Sequence, residues 1–96
     1  MITPTVGRVV WYRPAPTETI TGNDGAQPLA AIIAHVWSDT CVNLAVIDAN
    51  GAMTNRTSVF LYQGDDYPRP SSQFAEWMPY QKAVAAGDIP PAKHAT

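Results

Sequence analysis

Charge is scarce in this chain. Only 15% of its 96 residues are Asp, Glu, Lys or Arg, where a globular sequence usually carries about 25%. The six basic residues are scattered. None of them forms the run or stripe that tracks a nucleic-acid backbone, which argues against DNA or RNA as a partner. Cysteine is nearly absent too. With Cys41 alone, neither an internal disulfide nor a thiol-rich metal site is available. Cys41 opens an apolar run and reads as a small buried hydrophobe. Long hydrophobic runs are missing as well. The longest, residues 29–37, is about half the length a membrane helix needs, and no basic segment precedes an apolar one at the start of the chain, as a secretory signal requires. These absences predict an intracellular protein without membrane contact.

Catalytic groups are equally sparse. There are two histidines. His94 falls in the last residues, and His35 alternates with Ile33 and Trp37, so it is expected to share their face as a hydrogen-bonded structural residue. A nucleophile, a base and an orienting carboxylate are not assembled by any pattern here, so no catalytic residue is assigned and the protein is expected not to be an enzyme. Residues 48–51 begin like a calcium loop, but the twelfth position counted from Asp48 is Val59 and not a bidentate Glu. Asp65 and Asp66 read as solvated acids. The six glycines never reach phosphate-loop spacing. No metal or cofactor is expected.

What is present is β-forming sequence. Apolar residues are 46% of the chain, enough at this length for one core. Residues 6–12 (VGRVVWY) are rich in β-branched and aromatic side chains and predict a first strand, with Gly7 marking a bend or bulge. Residues 13–28, punctuated by Pro14, Pro16, Gly22, Gly25 and Pro28, predict a long loop of the functional or mobile kind. Residues 29–37 predict a second strand with apolar side chains on both faces. Residues 42–47 predict a third, Asn50-Gly51 a hairpin turn, and residues 57–62 a fourth. After a loop over 63–72, residues 74–78 predict a short last strand and 81–86 a helical turn. Residues 87–96, with Pro90-Pro91, predict a flexible tail. The sum is a mainly β, five-stranded, Src-homology-3-like barrel over residues 1–80, with a helical turn and a Pro-containing tail over 81–96. Closing the sheet removes the bare edges that so small and apolar a sheet would expose.

The remaining chemistry is aromatic and cationic. Rings sandwich planar bases, and arginine clamps phosphate through two parallel hydrogen bonds. Trp11 shares strand parity with Val9 and Arg13. Arg13 ends the first strand at the mouth of the long loop, and Arg56 directly precedes the fourth strand at the expected barrel rim, where ligands dock. Trp11, Arg13, Trp37, Arg56 and Trp77 are therefore the candidate binding set for a small anionic, nucleotide-like ligand. The competing role for the tryptophans is to fill the core. Both arginines are expected to be exposed, so that replacing them weakens binding while folding hardly changes. The low charge further predicts contact between copies, a homo-oligomer.

The words Pro4-Thr5-Val6-Gly7-Arg8-Val9-Val10, Val36-Trp37-Ser38-Asp39, Val42-Asn43-Leu44-Ala45-Val46-Ile47-Asp48 and Thr57-Ser58-Val59 resemble a widespread family of small tailed-phage proteins that often open with P-T-V-G-R-I-V-H-Y. The resemblance spans roughly residues 4–78, with 13–28 unmatched. Trp11 stands where the family often has His, so no role of that His carries over. The resemblance implies a phage source, and with the surface chemistry above it leaves three candidate roles, the first two of them known among small phage proteins. The first is a non-enzymatic sponge that sequesters a nucleotide immune signal of the bacterial host, acting in the host cytoplasm. The second is a virion structural, decoration or assembly protein. The third is a protein inhibitor of a host enzyme.

Overall fold

Alternation with period two builds the wall of this molecule. In β3 (Cys41–Ile47) every second side chain is buried, namely Val42, Leu44 and Val46. The same parity buries Val10 and Tyr12 in β1 (Val9–Arg13) and Leu29, Ala31 and Ile33 in the first half of β2 (Leu29–Ser38). It also buries Val59 and Leu61 in β4 (Met53–Tyr62). The computed structural model describes residues 1–64 and 68–87. The acids Asp65 and Asp66 and the expected tail from residue 88 onward lie outside the described residues. β1 to β4 form an antiparallel meander, and β5 (Phe74–Glu76) closes it, antiparallel to β1 and parallel to β4. The result is the closed five-stranded barrel that the sequence predicts. Its largest fully buried side chains are Trp77, Tyr12, Ile33, Leu44 and Leu61.

Several boundaries differ from expectation, each for a local reason. The first strand starts at Val9 rather than at residue 6, because Gly7 turns the chain at φ +94°. Even so, the Gly7 N–H donates to the Ile33 carbonyl at 2.8 Å. β4 starts at Met53, four residues before the expected position, since the hairpin pairs Met53 directly with Ile47. In that hairpin only Gly51 has positive φ. Asp48 completes the turn by accepting hydrogen bonds at Oδ1 from the N–H groups of Asn50 and Ala52, each 2.9 Å. β5 stops at Glu76. The helical turn is α1 (Pro79–Ala85), begun by a proline whose φ is already helical.

The long loop is pinned to the barrel. The Asn23 side-chain amide donates to the carbonyls of Ala15 (3.0 Å) and Glu18 (2.9 Å), and the Ala49 N–H donates to Thr21 O at 3.0 Å. Ile20 packs against the core.

Three register shifts re-aim side chains. On β2, Ile33 pairs with Leu44 but His35 with Asn43, and Val36 pairs with Val42 but Ser38 with Cys41. Ala34 and Trp37 are thus surplus residues, as in β-bulges. His35 and Trp37 share a face as expected, exposed and in ring contact, while Ile33 is buried, so the face expected to be shared with Ile33 is corrected: the bulge at Ala34 separates it from His35. On β4, Thr57 and Ser58 together oppose Asn43. Ser58 sits at φ +52°, alone among the described non-glycine residues in having positive φ. Asn43 joins the two bulged strands. Its Oδ1 accepts from Trp37 Nε1 (2.9 Å) and from the Ser58 N–H (2.8 Å).

The outer face of β1 to β4 is also apolar. Its cross-strand rows are Val9–Ile32–Ala45–Asn55 and Trp11–Ala30–Ile47–Met53. Neither row contains a charge.

Candidate functional site

The register that buries Leu44 and Val46 places their partners on β4, Arg56 and Thr54, on the inward parity. A guanidinium at the end of an apolar barrel requires a counter-ion, and the pinned loop supplies one. Arg56 Nε donates to Glu18 Oε1 at 2.5 Å, and its Nη1 donates to Thr54 Oγ1 (3.2 Å) and Asn55 O (2.7 Å). The buried Tyr12 hydroxyl donates to Glu18 Oε2 at 2.8 Å. Burial, reinforced by the Glu18 carboxylate, pushes the Tyr12 phenol up to about 12. The bond to Glu18 raises the Arg56 value further above its ordinary one. Arg56, Glu18 and Tyr12 line a cleft of about 420 Å3 with Ser58, Phe60 and Ser72. This volume lies within the range of small-molecule sites.

A second ionic cluster sits at the closing strand. Glu76 is only 4% exposed. Its carboxylate accepts from Arg13 Nε at 2.7 Å and from Arg69 Nη1 and Nη2 at 3.2 and 3.3 Å. Burial alone would raise the Glu76 carboxyl, but the hydrogen bonds and charges of the two arginines outweigh it and hold the group below its ordinary value. The Arg13 guanidinium also lies over the Trp11 ring, 5.5 Å from its centre.

The five residues singled out from the sequence therefore do not converge. Trp11 and Arg13 lie side by side on the outer face, and Arg56 lines the cleft. Trp37 is 61% exposed, its ring edge-on to His35 at 4.4 Å. Trp77 is 1% exposed and its Nε1 donates to Gln63 Oε1 at 3.2 Å, so it is a core ring. The expectation of two exposed rim arginines is also corrected, because each is tied to a glutamate. Sequence reasoning missed Glu18 and Ser58. Glu18 lies in a loop without periodicity, and Ser58 owes its conformation to a bulge. Only Tyr12, inward by parity with Val10, had a legible signal.

Among the described residues no group of three His, Cys, Asp or Glu side chains is placed to hold a metal ion, and no helix is long and apolar enough to cross a membrane. No family model, no curated protein and no solved structure matches the chain, so the functional reading rests on the geometry of the cleft and of the outer face.

Proposed function

We propose that this is a phage-encoded, non-enzymatic binding protein that takes a small nucleotide-like ligand into the cleft between the 13–28 loop and β4, and so withholds it from the bacterial host. One observation carries this reading. Arg56 is held in the cleft by Glu18, Thr54 and the Asn55 carbonyl through Nε and Nη1, and it also interacts with the Tyr12 hydroxyl, so its guanidinium is fixed in place in the cleft wall. A guanidinium positioned in this way presents its remaining donors at little entropic cost. The hydroxyls of Thr57, Ser58 and Ser72 also line the cleft. Because Glu18 neutralises Arg56, recognition there proceeds mainly by hydrogen bonding.

Calorimetry of the whole protein against mononucleotides, cyclic dinucleotides and cyclic ADP-ribose isomers tests the reading. At least one ligand should bind more tightly than about 10 μM, roughly −7 kcal/mol, and should be recovered intact after prolonged incubation. Ser72→Trp, at an exposed position of the cleft wall, should block that binding without unfolding the barrel. Binding weaker than this across the panel overturns the proposal.

The two apolar rows of the outer face favour a second reading, a virion structural or assembly component, since an apolar sheet face serves packing better than solubility. Mass spectrometry of purified particles separates the two. An assembly component is present in many copies per particle, and a sponge is absent.

A further inference from the structure

We infer that the cleft grips the uncharged nucleoside part of its ligand and leaves the phosphate in solvent, an inference that rests on the nucleotide reading above and narrows it. The charge of the lining is the ground for it. Among the described residues that line the cleft only Glu18 and Arg56 are charged, and they are paired with each other through Arg56 Nε and Glu18 Oε1. Glu18 also accepts from the Tyr12 hydroxyl at 2.8 Å and from the Ala15 N–H at 3.3 Å. Its carboxylate is therefore fastened beside Arg56 and is not free to swing aside for another anion. Arg8 is the one described arginine that no carboxylate pairs, and it lies over the Trp77 ring at 4.7 Å, outside the cleft lining. The chain as a whole carries a net charge of −2, which gives an anion no long-range attraction.

A phosphate needs a cation whose charge is available. Here any phosphate oxygen that reaches the Arg56 guanidinium also comes close to the Glu18 carboxylate, and the like-charge repulsion offsets much of the attraction. A nucleoside carries no such charge. Its ring nitrogens, amino groups and ribose hydroxyls pair with neutral donors and acceptors, and hydroxyl and amide side chains are both at once. The cleft supplies these. Thr57 and Ser58 contribute hydroxyls from β4, and ahead of β5 Ser72 Oγ donates to Gln73 Oε1 at 2.5 Å, which makes a second neutral polar edge. A site that recognises its ligand by such pairs discriminates against a ligand that lacks them, because its own polar groups are then left unpaired.

Calorimetry of the full chain tests this with matched ligands, each common nucleoside against its monophosphate and its cyclic dinucleotide, at about 50 and about 500 mM salt. At least one nucleoside should bind within about tenfold of its nucleotides, and both affinities should change less than about twofold between the two salt concentrations. Gln73→Ala, at an exposed position, should weaken nucleoside and nucleotide alike by about three- to tenfold, while urea unfolding stays as in the parent. A nucleotide, linear or cyclic, that binds more than about tenfold more tightly than its nucleoside overturns this inference and leaves the nucleotide reading standing. A steep loss of its affinity with salt would identify a phosphate contact as the cause. Binding weaker than about 10 μM by every nucleoside and nucleotide overturns the nucleotide reading itself, and this inference with it.

Discussion

Glu76 is a buried carboxylate held by two guanidinium groups, and the consequences of that burial can be measured one residue at a time. Arg13→Ala removes the closer partner and leaves Arg69, so it should destabilise folding by about 1–3 kcal/mol in urea titrations. An unchanged midpoint would mean that Arg13 is a free surface cation after all. The pH dependence has a definite sign. The folded carboxyl titrates below its ordinary value of 4.5, so its contribution is complete above that pH and is lost as pH falls below it. Glu76→Gln should flatten this acid limb of the stability curve. Tyr12 behaves in the opposite sense. Its phenol is raised from 10.0 to about 12 by burial and by Glu18. The stability it lends is intact below pH 10.0 and is lost as pH rises toward about 12. Ultraviolet titration should show a late-titrating phenol, and Tyr12→Phe should remove it. At this scale the sequence was half legible. Parity on β1 placed Trp11 and Arg13 on one face, opposite Tyr12, without saying which face is inward. It could not reveal that Glu18, 38 positions before Arg56, would neutralise that arginine.

At the scale of elements, a bulged pair of strands and a pinned loop shape the cleft. Gly22 lies at φ +98°, and a Cβ placed there would come within 2.7 Å of the Ala49 Cβ. Gly22→Ala should therefore lift the 13–28 loop from the barrel and cost about 1–3 kcal/mol. It should also raise protease sensitivity within residues 13–28, and a loop as resistant as the parent's would show that the contact relaxes without loss. Asn43→Ala removes the acceptor shared by Trp37 and Ser58, and should cost about 1–3 kcal/mol by the same urea assay. Strands and hairpin were readable in advance because alternation and Asn-Gly chemistry are local signals. The bulges at Ala34, Trp37 and Thr57-Ser58 were not, because a surplus residue shows only against the partner strand it fails to match. The start of β4 was hidden for a related reason. Residues 53–56 (MTNR) lack β-branched density, and the hairpin recruits them into the strand.

At the scale of the molecule, one core and one ring of strands form a single cooperative unit. Trp77→Ala would remove the largest fully buried side chain and should cost about 3–5 kcal/mol, a large share of the roughly 5–15 kcal/mol that holds a domain folded. The calorimetric transition should move to a much lower temperature, whereas a sharp transition near the parent's would contradict a core role. The ring itself has one short element. β5 is three residues long and takes part in both closing seams, and its seam with β4 comprises two residue pairs, Leu61–Ala75 and Tyr62–Glu76. The barrel therefore behaves as a four-strand ribbon with a clasp, and Arg13 and Arg69 secure the clasp through Glu76. Releasing it needs no other strand to move, and it leaves β1 and β4 as bare edges with unpaired amides. Native-state hydrogen exchange should accordingly show the Ala75 amide opening at lower free energy than those in the centre of the β2–β3 pairing. The same opening is the route by which one molecule could lend its clasp to another, so crowded or acidified solutions, in which the Glu76 ion pairs fail first, should be where exchanged-strand dimers accumulate.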